Sequence, residues 1–257
     1  MPTAPNLVPL TYNSFVQNLA NLAVVDVVET AGVFAGTEAY FNLLIPTAIN
    51  YAELRIQRDM DLLPSLTTRG YTLTSGSAFL TLSANDFVTV QDVNINVNGQ
   101  QTPLLPVSKE FLQYAYPSTA TPGPPGYFAM LGGDLATGGT TSNIIQVGPP
   151  PDNMYPVSVN GTIRLPSLAL YNTAPQAGSA TTFISTYLSD LMIQAAMIMV
   201  AEYQRDFGRI SDDPQMAMTY ETAYQNLLKS AYVEEARKKF SASAWSSMSP
   251  PLVATPA

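Results

Sequence analysis

Two adjacent carboxylates, Asp212 and Asp213, form the first pair in this chain that could do chemistry. Such a pair can supply half of a divalent-metal site. Pro214 follows directly, however, and a carboxylate before a proline is also a typical start of an α-helix. The proline sets the backbone geometry of such a start, and a helix cap needs no metal. We therefore interpret Asp213 and Pro214 as a helix cap and predict no metal site.

A second carboxylate pair, Glu234 and Glu235, precedes Arg237 and could act as an acid and a base. The alternative is a solvated helix face, on which the glutamates form ion pairs with Lys238 and Lys239 three and four residues further on. Positive charge in the last turn of a helix also interacts favourably with the helix dipole. We prefer the solvated face and predict no catalytic residue.

Two loop features complete the candidates for chemistry. The glycines at 132–133 and 138–139 lack the Gly-Lys-Ser/Thr ending of a phosphate-binding loop and do not open onto a periodic helix. Asp134 and Asp152 are candidate acids for glycan cleavage, which needs two carboxyls about 5–9.5 Å apart and no histidine. Nothing in the sequence pairs these two residues.

Composition narrows the function classes further. The 257 residues include no histidine and no cysteine, which argues against thiolate zinc sites, disulfides and the commonest general base. Charged residues make up only 12%, about half the usual share, which is typical of a protein whose surface is covered by partners. The net charge is −8, and no segment of the sequence forms a basic stripe. Sequence-specific nucleic-acid binding is therefore not expected. We predict no cofactor and no membrane segment, and a soluble protein made in the cytoplasm.

Helical periodicity dominates both ends of the chain. Apolar spacing predicts a helix from Thr11 to Val25 and a second from Glu38 to Leu63, capped by Thr37. Pro46 would either kink the second helix or delay its start. Near the C-terminus the pattern predicts a hairpin of two long helices, Thr181 to Phe207 and Asp212 to Phe240.

The middle of the chain changes to a period of two. Alternating residues such as Val93, Ile95 and Val97 indicate β-strands, and Asn98-Gly99 and Asn160-Gly161 are typical of hairpin turns. We expect an antiparallel sandwich or barrel between the helices. The predicted fold is α+β, a helical bundle with an inserted β module and an extended tail. Its expected segments are residues 1–68 (helices), 69–178 (β module), 179–240 (helical hairpin) and 241–257 (tail).

Several segments resemble the head-to-tail adaptor proteins of tailed bacteriophages. They lie in the order helices, β module, helical hairpin, and the resemblance covers roughly residues 10–240. The matching segments are 103–108 (PLLPVS), 126–129 (GYFA), 147–152 (VGPPPD), 188–196 (LSDLMIQAA), 202–208 (EYQRDFG), 212–214 (DDP) and 220–228 (YETAYQNLL).

The resemblance implies a structural virion protein without enzymatic activity. Its members form a ring, commonly of twelve copies, below the portal, which lines the DNA channel and attaches tail proteins. The implied partners are other copies of the chain, the portal, downstream tail or nozzle proteins, and genomic DNA that passes without sequence-specific contacts. The implied location is the head–tail connector of the virion, assembled in the host cytoplasm. Two alternatives remain: a virion-associated glycan-cleaving enzyme, and a β-sandwich decoration or receptor-binding module, which leaves the long helices unexplained.

The polar tail holds the only tryptophan, Trp245. A tryptophan there either folds back onto its own helices or anchors the tail in another chain. We predict a portal or subunit interface formed by Trp245, Pro250, Pro251, Leu252, Arg237, Lys238 and Lys239. A cluster of methionines has two interpretations, a core between the hairpin helices or an adaptable partner groove: Met192, Met197, Met199, Met216 and Met218.

Overall fold

The computed structural model describes residues 9–37, 39–83, 87–117, 121–135, 141–206 and 216–242. The helices in these ranges are α1 (Tyr12–Ala23), α2 (Ala39–Asp59), α3 (Lys109–Ala115), α4 (Phe183–Tyr187), α5 (Ser189–Asp206) and α6 (Met216–Ala242). The strands are β1 (Val27–Thr30), β2 (Val33–Gly36), β3 (Leu66–Leu73), β4 (Phe79–Thr81), β5 (Thr89–Val97), β6 (Gln100–Pro103), β7 (Leu105–Pro106), β8 (Tyr127–Leu135), β9 (Thr141–Gly148) and β10 (Tyr155–Thr162). Short 3-10 helices occur at Leu63–Ser65, Leu168–Tyr171 and Gln176–Gly178.

The chain divides into two compact units, and the predicted α+β class is confirmed. The helical unit comprises Met1–Leu63 and Pro166–Ala257, and the β unit comprises Pro64–Leu165. The sequence pattern predicts a β module from residue 69 to residue 178, whereas the β unit ends at Leu165. The two 3-10 helices between residues 168 and 178 pack against α1 and α2, which groups them with the helices.

Helix α1 forms where the sequence predicts it. The side-chain oxygen of Thr11 accepts a hydrogen bond from the backbone N–H of Ser14 at 3.3 Å, which caps the helix start. The helix ends at Ala23, and the C-cap residue Val24 has a left-handed φ of 56°. The β1–β2 hairpin that follows was not predicted. Asn13 holds it, because its side chain donates to the Gly32 carbonyl at 2.8 Å and accepts from the Phe34 N–H at 3.0 Å.

Helix α2 begins at Ala39 and keeps Pro46 in its interior, so the proline does not delay the helix start. Ile49 is buried on this helix, whereas Leu44 is only half-buried. The buried apolar residues of α2 are Phe41, Ile45, Ala48, Ile49, Ala52 and Ile56. This face packs against α5.

The predicted single helix from Thr181 to Phe207 is two helices, so that prediction was wrong. Segments Gln176–Tyr187 and Ser189–Glu202 meet at a bend of 100°. Thr182 and Ser185 form a capping box that starts α4, and Leu188 leaves helical geometry with a φ of −127°. The capping box thus lies at the predicted helix start, and the break lies at Leu188, between α4 and α5.

Helix α5 lies at the centre of the helical unit and packs against α1, α2, α4 and α6. Met192 and Met197 are fully buried, as the core interpretation of the methionines predicts, whereas Met218 is exposed. Across the described ranges no single helix is long and apolar enough to cross a membrane. Only the bent pair Gln176–Tyr187 and Ser189–Glu202 meets that test, by length and composition alone.

The β unit contains two four-stranded sheets around one apolar core. One sheet has the order β3-β10-β5-β6 and is antiparallel throughout, and the other has the order β4-β9-β8-β7 with a parallel β7–β8 pair. Inward-facing residues of both sheets build the core, as expected for a sandwich. They include Leu73, Leu80, Val93, Ile95, Phe128, Ile145, Val147, Val157 and Val159.

The two predicted Asn-Gly turns have different outcomes. Asn98 and Gly99 connect β5 and β6 with φ values of 53° and 83°, as a two-residue hairpin turn requires, so this prediction is confirmed. The prediction for Asn160-Gly161 was wrong, because both residues lie inside β10. At Gly161 a Cβ atom would lie 2.2 Å from the Thr89 carbonyl oxygen. Gly161 therefore allows β10 and β5 to lie close together and does not form a turn.

Candidate functional site

A polar network links the end of α2 to α6 in the helical unit. The Arg55 guanidinium lies 2.6 Å from a Glu221 carboxylate oxygen and 4.2 Å from the centre of the Tyr224 ring. The Tyr224 hydroxyl in turn donates to Asp59 at 2.7 Å. These contacts join residues about 165 positions apart in sequence, at a place where periodicity alone predicts only an apolar helix contact.

The protonation states in this network follow from its contacts. Burial raises the pKa of the Tyr224 hydroxyl, and its bond to Asp59 adds to that increase. The bond from Arg55 holds the pKa of Glu221 below its ordinary value. Burial is the largest single influence on Arg55 and works against its charge, but the bonds and charges of Glu221 and Tyr51 together outweigh burial and raise the pKa of the guanidinium. The charges are therefore fixed at neutral pH, which suits a structural contact better than proton transfer.

Two buried carboxylates accept backbone hydrogen bonds close to the positions where the chain leaves and re-enters the helical unit. Glu235, only 4% exposed, accepts from the Leu63 N–H at 3.2 Å. Glu53, only 2% exposed, accepts from the Leu168 N–H at 2.9 Å. Leu63 ends the first segment of the unit, and Leu168 lies just after its second segment begins. Buried N–H groups need such partners, so these glutamates are structural anchors.

The carboxylate pair on α6 corrects one interpretation of the sequence. Glu234 is exposed, as expected of a solvated face, but Glu235 is buried, so that interpretation was wrong for Glu235. Lys238 pairs with both glutamates at 2.8 Å, which confirms the predicted spacings of three and four. Lys239 reaches Asp61 of another segment instead. The Glu235 carboxylate lies inside the unit, where it accepts the hydrogen bond of the Leu63 N–H.

The predicted basic end of α6 is only partly free to meet a partner. Burial opposes the charge on Lys238, but its bonds to Glu234 and Glu235 outweigh burial and raise the pKa of the amine. This amine also lies 5.5 Å from the ring centres of Phe183 and Tyr187. Arg237 is exposed on the same helix. Of the three basic residues, Arg237 therefore presents its charge most openly.

Several predicted residues lie outside the described residues. They are the cap residues Asp213 and Pro214, with their neighbour Asp212, and the tail residues Trp245, Pro250, Pro251 and Leu252. Their interpretations remain predictions.

The two candidate acids for glycan cleavage, Asp134 and Asp152, lie in different parts of the structure. Asp152 accepts from the Tyr155 hydroxyl at 2.6 Å, and this bond raises the pKa of Tyr155. Asp134 belongs to β8, with its side chain outside the described part. In the parts of the chain that the structure describes, no group of three or more carboxylates is placed to hold a metal ion.

Burial of Glu53 gives a pH-dependent prediction. Burial raises the pKa of this carboxyl, and the bonds from Ser167 and Leu168 oppose the increase. The folded chain then holds the proton more tightly than the unfolded chain, so stability falls as pH rises from the ordinary value of 4.5 through the raised pKa. Glu53→Gln removes this titration. Its unfolding free energy relative to the native chain should increase between about pH 4 and about pH 7. Urea unfolding across this range measures the difference, and a constant value would contradict the assignment.

Comparison with known proteins identifies a matching protein family. The family model described as SU10 adaptor protein matches residues 11–250, which is nearly the whole chain. No curated protein matches the chain. The matched range includes both segments of the helical unit, the β unit and the first part of the tail.

Proposed function

Because the chain belongs to the SU10 adaptor protein family, a phage adaptor-type family, we propose that it is a head-to-tail connector protein. Copies of the chain form a ring below the portal, with twelve as the expected number, and tail proteins attach to that ring. The ring lines the channel through which genomic DNA passes, and the chain performs no catalytic step. The observation that carries this proposal is the family match over residues 11–250.

The charge content of the chain supports a ring through which DNA moves. Eleven basic residues are outnumbered by nineteen acidic ones. A channel wall of net negative charge repels phosphate, so DNA passes without the binding that counterion release drives on a basic surface. The sparse charge also lowers the cost of covering the flanks of one copy with the next, because few ions must be desolvated.

The tail and the basic end of α6 are the proposed contact with the portal or a neighbouring copy. Trp245 supplies a large apolar side chain, and Pro250, Pro251 and Leu252 extend the apolar segment. Tryptophan and arginine are enriched among residues that carry binding energy. Arg237 is the exposed cation at the end of α6, so it completes this proposed surface.

Native mass of the chain mixed with its portal tests the proposal. We expect a monomer or weak association for the chain alone, because assembly must wait for its platform. With the portal present we expect a ring of defined stoichiometry. A chain that remains single in the presence of the portal, or turns over a small molecule, would overturn the proposed function.

Deletion of residues 241–257 separates docking from folding in the same experiment. We expect weaker portal binding, because the deletion removes Trp245 and the proline segment. The helical content by circular dichroism should be nearly unchanged, because only the last two residues of α6 are removed. The variant Trp245→Ala should reproduce most of the loss. Full portal affinity after the deletion would exclude an anchoring role for the tail.

A further inference from the structure

The chain contains two Asn-Gly sequences, Asn98-Gly99 and Asn160-Gly161, and each is preceded by a valine. An asparagine followed by glycine can lose its side-chain amide spontaneously, because glycine has no side chain to block the approach of its backbone nitrogen. The reaction requires an accessible glycine nitrogen and an asparagine side chain that is free to rotate onto it. Because the local sequence is the same at both sites, only the fold can make them differ.

Asn98-Gly99 meets both requirements. Both residues are exposed, at the turn between β5 and β6. A Cβ atom added at Gly99 would meet nothing within 4 Å, so the space around its backbone is open. In the part of the chain that the structure describes, no hydrogen bond holds the Asn98 side chain or the Gly99 N–H. The Asn98 amide can therefore rotate onto the nitrogen of the next residue.

Asn160-Gly161 meets neither requirement. The Asn160 amide nitrogen donates to Asp92 at 2.6 Å, and the amide oxygen accepts from the Thr68 hydroxyl. Gly161 is buried in β10, which lies between β3 and β5 and pairs with both strands. A backbone held between two strands cannot turn its nitrogen toward the preceding side chain unless the sheet opens. The fold therefore holds both reacting groups apart.

We propose that Asn98 is a site of spontaneous deamidation and that the fold protects Asn160 from the same reaction. The Gly99 nitrogen loses its proton and attacks the side-chain carbonyl carbon of Asn98. The new C–N bond closes a succinimide ring, the bond from that carbon to the amide nitrogen breaks, and ammonia leaves. A water molecule then opens the ring at either carbonyl and gives aspartate or isoaspartate. The reaction consumes one water, releases one ammonia and needs no oxidant or reductant.

The two products change the β5–β6 hairpin in different ways. Aspartate adds one negative charge and keeps the turn, since Asp-Gly is as typical of two-residue hairpin turns as Asn-Gly. Isoaspartate inserts a methylene group into the main chain, which a two-residue turn cannot accommodate. β6 lies at the edge of its sheet, and this turn joins it to its neighbour β5. The isoaspartyl product therefore loosens β6 and leaves the central strands in place.

Peptide mapping of the full chain tests this site, because trypsin separates the two asparagines. It cleaves after the three basic residues that bound them: Arg69, Lys109 and Arg164. Asn98 then lies in peptide 70–109 and Asn160 in peptide 110–164. The folded chain is incubated in mildly alkaline buffer, which favours loss of the amide proton, and its peptides are followed by mass spectrometry. We expect the mass increase of NH replaced by O at Asn98, located by fragmentation. Modification of Asn160 should be slower by about a hundredfold or more, because it requires opening of a core strand.

The same incubation in urea is the control for the role of the fold. In the unfolded chain both asparagines should react at similar rates, since a valine precedes and a glycine follows each of them. Equal rates in the folded chain would overturn the inference, because the fold would then protect neither site. An Asn98 that reacts only in urea would show that the turn itself prevents the attack, and would overturn it as well. Failure of both sites in urea would exclude the chemistry.

Asn98→Gly is the matched control variant, because Gly-Gly also suits a two-residue hairpin turn and carries no amide. The mass increase in peptide 70–109 should disappear, and its persistence would place the reaction at another residue and overturn the assignment. Hydrogen exchange of the isoaspartyl form, separated by chromatography, tests the effect on β6. We expect loss of protection at Gln100 and Thr102, which pair with β5, and retained protection in β10. A fully protected β6 in that form would contradict the predicted loosening.

Discussion

Gly161→Ala is expected to lower the free energy of unfolding of the β unit by about 1–3 kcal/mol. The added Cβ would lie 2.2 Å from the Thr89 carbonyl oxygen and 2.8 Å from the Phe87 ring. The ring could rotate, but the carbonyl belongs to the backbone of the neighbouring strand β5. Relief therefore requires β10 and β5 to separate, next to the register shift that already occurs at Asn160/Gly161.

Gly70→Ala is the matched control for this change. Gly70 lies in β3, on the other side of β10, and a Cβ there would meet nothing within 4 Å. Its effect should stay within about 0.5 kcal/mol, as for most exposed positions. Urea unfolding of both variants measures the difference. Equal stabilities would show that the β10–β5 pair tolerates the added atom, and the close approach would then not explain the glycine.

Tyr224→Ala is expected to destabilise the helical unit by about 3–5 kcal/mol, the usual cost of removing a large buried aromatic side chain. Tyr224 is fully buried on α6 and is among the largest fully buried side chains of the chain. The substitution also removes the face on which Arg55 lies and the hydroxyl that donates to Asp59. Packing and polar contacts are therefore lost together.

Tyr224→Phe separates these two losses. It keeps the ring under Arg55 and removes the hydroxyl that donates to Asp59, a carboxylate that is one-third exposed and can take water as a partner. We expect a cost of about 1 kcal/mol. Tyr114→Ala, at a tyrosine that is 89% exposed, should be nearly neutral in the same thermal and urea measurements. A Phe variant as unstable as the Ala variant would show that the hydroxyl bond, not ring burial, dominates.

The local parts of the fold were predictable because their causes are local. Thr11 and the apolar spacing after it predict α1, and the alternation of Val93 and Ile95 predicts the inward face of β5. Asn98-Gly99 predicts its own turn, since both residues adopt positive φ readily. The resemblance to phage adaptors is confirmed at the level of the family.

The missed features depend on residues far apart in sequence. The sequence Asn160-Gly161 is typical of a turn, and only the fold shows that Gly161 lies against the backbone of Thr89. Likewise, Glu235 is predicted to be solvated, and only the fold shows that it accepts a hydrogen bond from Leu63. Glu53 stands in an amphipathic pattern that gives no sign of its bond to Leu168, 115 residues later. The capping box of Thr182 and Ser185 marks the start of α4, but it gives no sign of the break at Leu188.

By itself the sequence determined the class of fold, the sparsely charged and cysteine-free character of the chain, and the order of modules that resembles an adaptor. These properties follow from composition and from the recurrence of apolar residues at periods of two and 3.6, both of which can be read directly from the sequence. Only the tertiary structure decided which carboxylates are buried, why residue 161 is glycine and which helix sides remain exposed. Each of these depends on which distant backbone group or side chain lies within a few ångströms, and folding alone brings those groups together.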